Sequence, residues 1–137
     1  LRTAWVFAPK GNNFVSRLLA LADRGVSLRF TNDQWGTPTY ADDLVNVTLQ
    51  LIARQAPFGL YHAVGSEVCS PFEWARSALA IARPGVDIQP VPGITFPTRA
   101  RRPRRSVLYN ARLATLGLTM PGGLSRLNDY FAHQETR

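Results

Sequence analysis

Short apolar runs alternate along the chain with segments in which apolar residues recur every three or four positions. The runs predict strands and the spaced segments predict helices, because one face of a strand repeats about every 2 residues and one face of a helix about every 3.6. The predicted strands are 1–7, 26–30, 58–64 and 86–91, and the predicted helices are 14–24, 41–55, 71–83, 110–116 and 124–131. Strands that alternate with helices indicate an α/β domain, and their shortness favours a small mixed lobe over a complete doubly wound sheet.

Capping residues mark the starts of two predicted helices. Ser70 is placed to cap the third helix, with Pro71 at its first position and Glu73 completing a capping box. Thr39 is placed to cap the second helix, with Asp42 three residues later as its partner. The second helix is predicted to bury one face, formed by Leu44, Val45, Thr48, Leu51 and Ile52.

Composition indicates a globular domain with an uneven positive charge. The 137 residues are 45% hydrophobic and 18% charged, which is enough to bury a core. The net charge is +7, and five of the 16 basic residues are arginines between positions 99 and 105, so much of the excess lies in one loop. No apolar run reaches the roughly 18–20 residues that cross a bilayer. The single cysteine, Cys69, makes a reducing cytoplasm the expected compartment.

Several catalytic signatures are absent from the sequence. A dinucleotide-binding turn needs closely spaced glycines after a strand, and neither Gly-x-Gly-x-x-Gly nor Gly-x-x-Gly-x-x-Gly occurs. A short-chain dehydrogenase needs a tyrosine four residues before a lysine, but Val6 stands four residues before the only lysine, Lys10. His62, His133 and Cys69 have no neighbours at metal-ligand spacing, so they are predicted to be structural and no metal site is expected.

Five ordered motifs nevertheless resemble one enzyme family. They are Arg-Thr-Ala-Trp-Val-Phe at 2–7, Gly-Asn-Asn-Phe at 11–14, Asn-Asp-Gln-Trp-Gly-Thr-Pro-Thr at 32–39, Gly-Leu-Tyr-His at 59–62 and Pro-Thr-Arg-Ala-Arg-Arg-Pro-Arg-Arg-Ser-Val-Leu at 97–108. With these five motifs in this order, the chain resembles the C-terminal half of the dTDP-4-dehydrorhamnose reductases, which are extended short-chain dehydrogenases. The resemblance covers essentially the whole chain.

The resemblance implies an architecture and an activity. Residues 1–10 would hold the last strand of a Rossmann-type sheet, and 11–137 would form mainly the substrate-binding lobe, with some elements returning to the Rossmann domain. The enzyme would transfer hydride from NADPH or NADH to the C4 ketone of dTDP-4-dehydro-L-rhamnose, giving dTDP-L-rhamnose. The glycine-rich turn and the Tyr-x-x-x-Lys pair would belong to an N-terminal Rossmann half that this sequence does not contain. The resemblance leaves open a homodimer and a Mg²⁺ ion, and it implies no nucleic-acid or membrane partner.

The resemblance assigns binding roles near the start of the chain. Trp5 aligns with a tryptophan that packs against the sugar ring, although from the sequence alone it reads more readily as a core aromatic at a strand end. Asn12 and Asn13 stand at a helix start, where they can meet a ligand or simply cap the helix. Thr3 and Ala4 would contact the cofactor.

Two later motifs complete the expected site. Gln34 and Thr37 lie in a turn that the family places near the substrate, although turn chemistry also accounts for this segment. Arg101 and Arg102 match an Ala-Arg-Arg-Pro motif in a loop that reaches the nucleotide end of the substrate. Guanidinium groups suit a diphosphate because their planar fork makes paired, charge-assisted hydrogen bonds. Arg102 is the better candidate of the two.

Two other classes of function stay open. The same fold family includes non-catalytic regulatory subunits, such as the β subunit of methionine adenosyltransferase, so the chain can be read as a regulatory or sugar-nucleotide-binding protein. A basic nucleic-acid-binding module is the third interpretation, and it predicts steeply salt-dependent DNA affinity with no preference for dTDP. A Tyr-x-x-x-Lys pair upstream in the gene would favour the enzyme, and a degenerate pair would favour the regulator.

Overall fold

The structure is a computed structural model that describes residues 1–96, 99–100 and 102–135. Its strands are β1 (Val6–Phe7), β2 (Leu28–Thr31), β3 (Thr39–Tyr40) and β4 (Ile88–Val91). Its helices are α1 (Phe14–Asp23), α2 (Ala41–Ala53), α3 (Pro71–Ala82), α4 (Ala111–Ala114) and α5 (Leu127–Glu135), with a 3-10 turn over Gly93–Thr95. None of the described helices is long and apolar enough to span a bilayer.

The described strands form two short parallel pairs. β1 pairs with β3, so that Val6 lies opposite Thr39. β2 pairs with β4 over four residues, from Leu28 opposite Ile88 to Thr31 opposite Val91. Parallel pairing requires long crossover connections, and here helices lie within both connections. The mixed α/β lobe predicted from the sequence is therefore confirmed.

The predicted strand 1–7 is wrong over most of its length. Only Val6–Phe7 pairs as a strand, because Trp5 adopts a φ of 48°, which breaks the extended backbone. Arg2 forms an isolated parallel bridge to His62, in which the Arg2 N–H donates to the carbonyl of Tyr61 at 2.8 Å. Within the predicted strand 58–64, only His62 pairs, and it does so through this same bridge.

The predicted cap of the second helix is also wrong. Thr39 lies in β3, where its Oγ1 donates to the Thr37 carbonyl and accepts from the Gly65 N–H. Tyr40 occupies the N-cap position of α2 without a side-chain hydrogen bond. The hydroxyl that local spacing assigned to a cap is therefore used to join two distant segments.

The buried face of α2 agrees with the predicted one in part, because Leu44 and Leu51 pack against buried core residues. Val45 and Ile52 are 54% and 68% exposed, whereas Asp43 and Val47 are buried. Asp43 faces inward because Arg126 donates to both of its carboxylate oxygens, at 2.9 and 2.8 Å. The ion pair compensates the buried carboxylate, so that a charged residue can lie on the inner face of α2.

Two other helix starts agree with the sequence. Ser70 caps α3, and its capping box with Glu73 is closed in both directions. Asn13 caps α1 by accepting from the N–H groups of Val15 and Ser16. The remaining elements occur near their predicted places, although α4 is shorter than predicted and α5 begins three residues later than predicted.

The core consists of two clusters. The larger packs α1, α3 and α5 against β1, and at its centre the ring of Phe7 lies 5.4 Å from Trp74 and 5.9 Å from Tyr130. The smaller lies between α2 and α4 and includes Val47 and Leu113. The larger cluster fixes the positions of the residues that line the candidate site.

Candidate functional site

A cavity of about 410 Å³ opens where β1, the start of α1 and the start of α3 meet. Its volume falls within the range of small-molecule sites. Its lining includes three aromatic rings, two asparagines and two arginines. The rings come from Trp5, Phe14 and Trp74, so segments far apart in sequence build one wall.

The aromatic wall is a stack of nearly parallel rings. Trp5 and Trp74 lie 5.8 Å apart with 7° between their planes, and Trp74 and Phe14 lie 4.3 Å apart with 13° between theirs. Trp74 is almost completely buried, and its indole N–H has no hydrogen-bond partner among the described residues. The stack holds Trp5 in a fixed orientation at the cavity, where the part of its ring that stays exposed offers apolar surface to a ligand.

The backbone at Trp5 is strained. A non-glycine residue at a φ of 48° costs about 1–3 kcal/mol, and such strain clusters at functional sites. The ring then lies directly over Gly36, where a Cβ would be only 2.5 Å from two indole carbons. The sequence pattern missed this geometry because the strained residue and the glycine belong to different motifs.

The two asparagines at the start of α1 have different surroundings. Asn13 accepts two backbone N–H groups and donates through Nδ2 to the Ala8 carbonyl at 2.8 Å, so its amide is engaged in the cap. Asn12 is exposed and has no hydrogen-bond partner among the described residues. Asn12 is therefore the one whose amide is available to a ligand.

Both arginines of the cavity are exposed and outside the ion pairs found among the described residues. Arg17 makes one long contact, in which its Nε donates to the Asn13 carbonyl at 3.4 Å. Arg102 enters from the loop after β4. No aspartate or glutamate is among the lining residues, so the cavity is positively charged and suits an anion.

Four predicted site residues lie away from this cavity. Gln34 has its side chain beside Gly93, and Thr37 is buried, with a hydroxyl that has no partner. Thr3 is exposed and Ala4 half-buried in the segment before Trp5. Arg101 is outside the described residues.

Five residues of the cavity were missed by sequence reasoning: Val6, Phe14, Arg17, Pro71 and Trp74. The available signal was the pair of capped helix starts, since Phe14 and Trp74 each lie in the first turn of one. Nothing local in the sequence indicates that these two starts face each other.

Two titratable groups near the cavity keep their protons at neutral pH. Burial, with smaller effects from Glu73 and Glu67, raises the pKa of the Cys69 thiol to about 12, so it stays protonated. Burial also raises the pKa of Tyr40. Within the described ranges, no three metal-ligating side chains come together, so nothing among these residues supports a Mg²⁺ site.

The fold and the cavity define a ligand-binding α/β lobe that carries no cofactor-binding glycine turn of its own. The chain belongs to the RmlD substrate binding domain family, whose pattern matches residues 1–133. Among its relatives, the chain is 37% identical to the dTDP-4-dehydrorhamnose reductase of Escherichia coli K12, covering 95% of this chain and 48% of that protein. It is 30% identical to the spore coat polysaccharide biosynthesis protein SpsK of Bacillus subtilis, covering 99% of this chain and 47% of SpsK.

Solved structures give the same result. A dTDP-4-dehydrorhamnose reductase from Clostridium acetobutylicum superposes with a TM-score of 0.91 at 30% identity, over 98% of this chain and 48% of that one. The enzyme from Bacillus anthracis, in complex with NADP, superposes with a TM-score of 0.87 at 32% identity, over 96% and 47% of the two chains. The chain thus spans about half the length of the relatives it matches. The predicted family and its Rossmann-type, extended short-chain dehydrogenase fold are confirmed.

Proposed function

We propose that this chain is the substrate-binding half of an NAD(P)H-dependent reductase that converts dTDP-4-dehydro-L-rhamnose to dTDP-L-rhamnose. The observation that carries the proposal is the cavity itself, which combines a stacked aromatic wall with two unpaired arginines. A dTDP-sugar has the complementary chemistry, because its deoxy-sugar ring has an apolar face and its diphosphate is an anion.

Five side chains of the cavity have roles in this proposal. Trp5 orients the sugar, and its rigid stacking on Trp74 limits the positions that the ketone can take. Asn12 donates to the nucleotide, while Asn13 holds the start of α1 in place. Arg102 binds the diphosphate. The distant Gln34 and Thr37 shape the turn beneath Trp5 instead of contacting the substrate.

The cofactor site lies outside this chain in the proposal. A bound nicotinamide cofactor supplies the hydride, and an acid supplies the proton that completes the alcohol. The chain has neither the glycine-rich turn nor the Tyr-x-x-x-Lys pair, so a further polypeptide segment must provide both. Thr3 and Ala4 precede the cavity and would lie at the junction with that segment. The proposal does not include Mg²⁺.

A separate apolar surface supports the proposal that a further segment of chain packs against this lobe. Leu1, Ile52 and Phe58 line a second cavity of about 460 Å³, and Phe58 is fully exposed. Contiguous apolar surface of this kind marks an interaction site. In the proposal the Rossmann half covers it, and the complete gene product protects the α2 amides from hydrogen exchange better than the 137-residue chain does.

The test is an activity assay on the complete gene product. With dTDP-4-dehydro-L-rhamnose, the proposal expects oxidation of NADPH or NADH together with formation of dTDP-L-rhamnose, and no turnover by the 137-residue chain alone. Trp5→Ala should lower kcat/KM by about 100-fold, because it removes the surface that orients the ring. Turnover by the isolated chain, free of contaminants, would disprove the assignment of catalysis to the other half.

The alternative is a non-catalytic sugar-nucleotide-binding or regulatory protein of the same fold. The cavity would then bind its ligand without reduction. A complete gene product that binds dTDP-sugars, lacks the Tyr-x-x-x-Lys pair and leaves NADPH unoxidised would establish this alternative.

A further inference from the structure

Arg17 differs in its environment from those arginines of the described chain whose guanidinium groups are held by partners. Arg83 and Arg126 are held in ion pairs with aspartates. Arg54 and Arg112 donate to backbone carbonyls, at 2.7 Å to Leu116 in one case and 2.8 Å to Phe58 in the other. The two terminal nitrogens of Arg17 have no partner among the described residues, and its side chain lines the cavity.

The position of Arg17 is set by the start of α1. Asn13 caps this helix, and Arg17 stands four residues later, on the same side and about one turn away. The contact from its Nε to the Asn13 carbonyl holds the stem of the side chain and leaves the outer nitrogens free. Helix α1 thus presents a guanidinium group at a fixed place in the cavity wall.

Arg102 reaches the same cavity from a different part of the chain. It comes from the loop after β4, whereas Arg17 comes from the first turn of α1. Two guanidinium groups from independent elements therefore line one cavity, and no lining carboxylate neutralises them. Two like charges that line one cavity repel one another, and an anion with several oxygens between them relieves the repulsion.

We propose that Arg17 and Arg102 form a two-guanidinium clamp for a diphosphate group and that Arg17 is a binding residue of this site. The identity of the complete ligand rests on the proposed function. The inference that the ligand has an anionic end rests on the cavity alone. The aromatic wall of Trp5 and Trp74 then receives the part of the ligand beyond the diphosphate. A ligand with only one of these two parts binds more weakly.

Calorimetric titration of the complete gene product tests the clamp, with dTDP, inorganic pyrophosphate and thymidine as probes. Arg17→Gln should raise the Kd for dTDP and for pyrophosphate by about tenfold each, as expected for one charge-assisted contact, and leave weak thymidine binding unchanged. Arg17→Lys should restore part of the affinity, because it keeps the charge and loses the planar fork. The dependence of log Kd on log salt concentration should become less steep in Arg17→Gln.

Arg24→Gln is the matched control. Arg24 is an exposed arginine at the end of α1, outside the cavity, and the same charge is removed from the same helix. Equal Kd values for Arg17→Gln and Arg24→Gln would overturn the clamp, because a general loss of positive charge would then account for the effect. Equal thermal unfolding temperatures of both variants and the unchanged protein would establish that the fold is intact.

The outcomes separate the clamp from the proposed function. Pyrophosphate binding that depends on Arg17, without reduction of the dTDP-sugar, would support the clamp and reject the reductase. Reduction of the dTDP-sugar, together with a Kd for dTDP that is the same in Arg17→Gln and in the unchanged protein, would support the reductase and reject the clamp. Failure of the unchanged protein to bind either dTDP or pyrophosphate would reject the clamp outright.

Discussion

The indole of Trp5 lies against Gly36 so closely that a Cβ on the glycine would be 2.5 Å from two ring carbons. Gly36 cannot retreat easily, because its N–H and carbonyl are both hydrogen-bonded to Cys69 at 3.0 Å. Trp5 is held from its other side by the stack with Trp74. Glycine at this position therefore determines where the aromatic wall stands.

Gly36→Ala should consequently displace Trp5. We expect a loss of about 1–3 kcal/mol in the free energy of unfolding, which is typical of overpacking, and a change in the near-ultraviolet circular dichroism of the tryptophans. Gly93→Ala is the control, because a Cβ there meets the flexible end of Gln34. Equal unfolding free energies and unchanged dichroism for both variants would contradict the close packing of Trp5 on Gly36.

The ion pair between Arg126 and Asp43 gives a second prediction. Asp43 is buried and accepts two hydrogen bonds from Arg126, so Asp43→Asn should lower the free energy of unfolding by about 2 kcal/mol. Asp129 also accepts from Arg126, but its side chain is 45% exposed, and Asp129→Asn should cost less than about 1 kcal/mol. Denaturant titration of the two variants measures the difference, and a larger loss in Asp129→Asn would refute this ranking.

The sequence predicted those features that depend on neighbours along the chain. The caps at Ser70 and Asn13 close within three residues, so their chemistry is complete in the local pattern. The hydroxyl of Thr39 was assigned to a similar cap, but a backbone N–H 26 residues away uses it instead. Asp43 likewise lies on the inner face of α2, because it pairs with Arg126, which is 83 residues further along the chain. Distant partners override local preferences, and a single sequence does not reveal them.

The candidate site was predicted only in part, because some of its residues also depend on contacts between distant segments. Trp5, Asn12 and Arg102 lie within recognisable motifs, and the structure brings them to one cavity. Arg17 and Trp74 lie in the same cavity without a motif of their own, so only the packing of α1 against α3 reveals them. The family resemblance located the motifs, and the three-dimensional arrangement separates the residues that meet from those that do not.

Burial of Cys69 predicts a loss of stability at alkaline pH. The unfolded thiol ionises near its ordinary pKa of 9.0, whereas the folded thiol holds its proton until about 12. The unfolded state therefore binds fewer protons between these values, and the free energy of unfolding falls as pH rises, by up to about 1.4 kcal/mol per pH unit. In Cys69→Ala this contribution is removed, so between about pH 9 and pH 10 its stability should decline less than that of the unchanged protein.

Denaturant titrations in reducing buffer at about pH 8, 9 and 10 measure this slope. Buried tyrosines add a similar loss, but only above their ordinary pKa of 10.0, so the lower window isolates the thiol. Parallel curves for Cys69→Ala and the unchanged protein over this window would show that the thiol is not buried in the folded state.

The hydroxyl of Tyr40 gives the last prediction. Within the part of the chain that the structure describes it is buried without a hydrogen-bond partner, while the hydroxyl of the equally buried Tyr130 accepts from Gln134 Nε2 at 3.0 Å. A buried polar group without a partner costs about 1–3 kcal/mol, so Tyr40→Phe should leave the free energy of unfolding unchanged or raise it. Tyr130→Phe should lower it by about 1 kcal/mol, because a satisfied hydrogen bond is lost. Denaturant titration of this matched pair is the measurement, and a destabilised Tyr40→Phe would mean that the hydroxyl has a partner, most simply an ordered water.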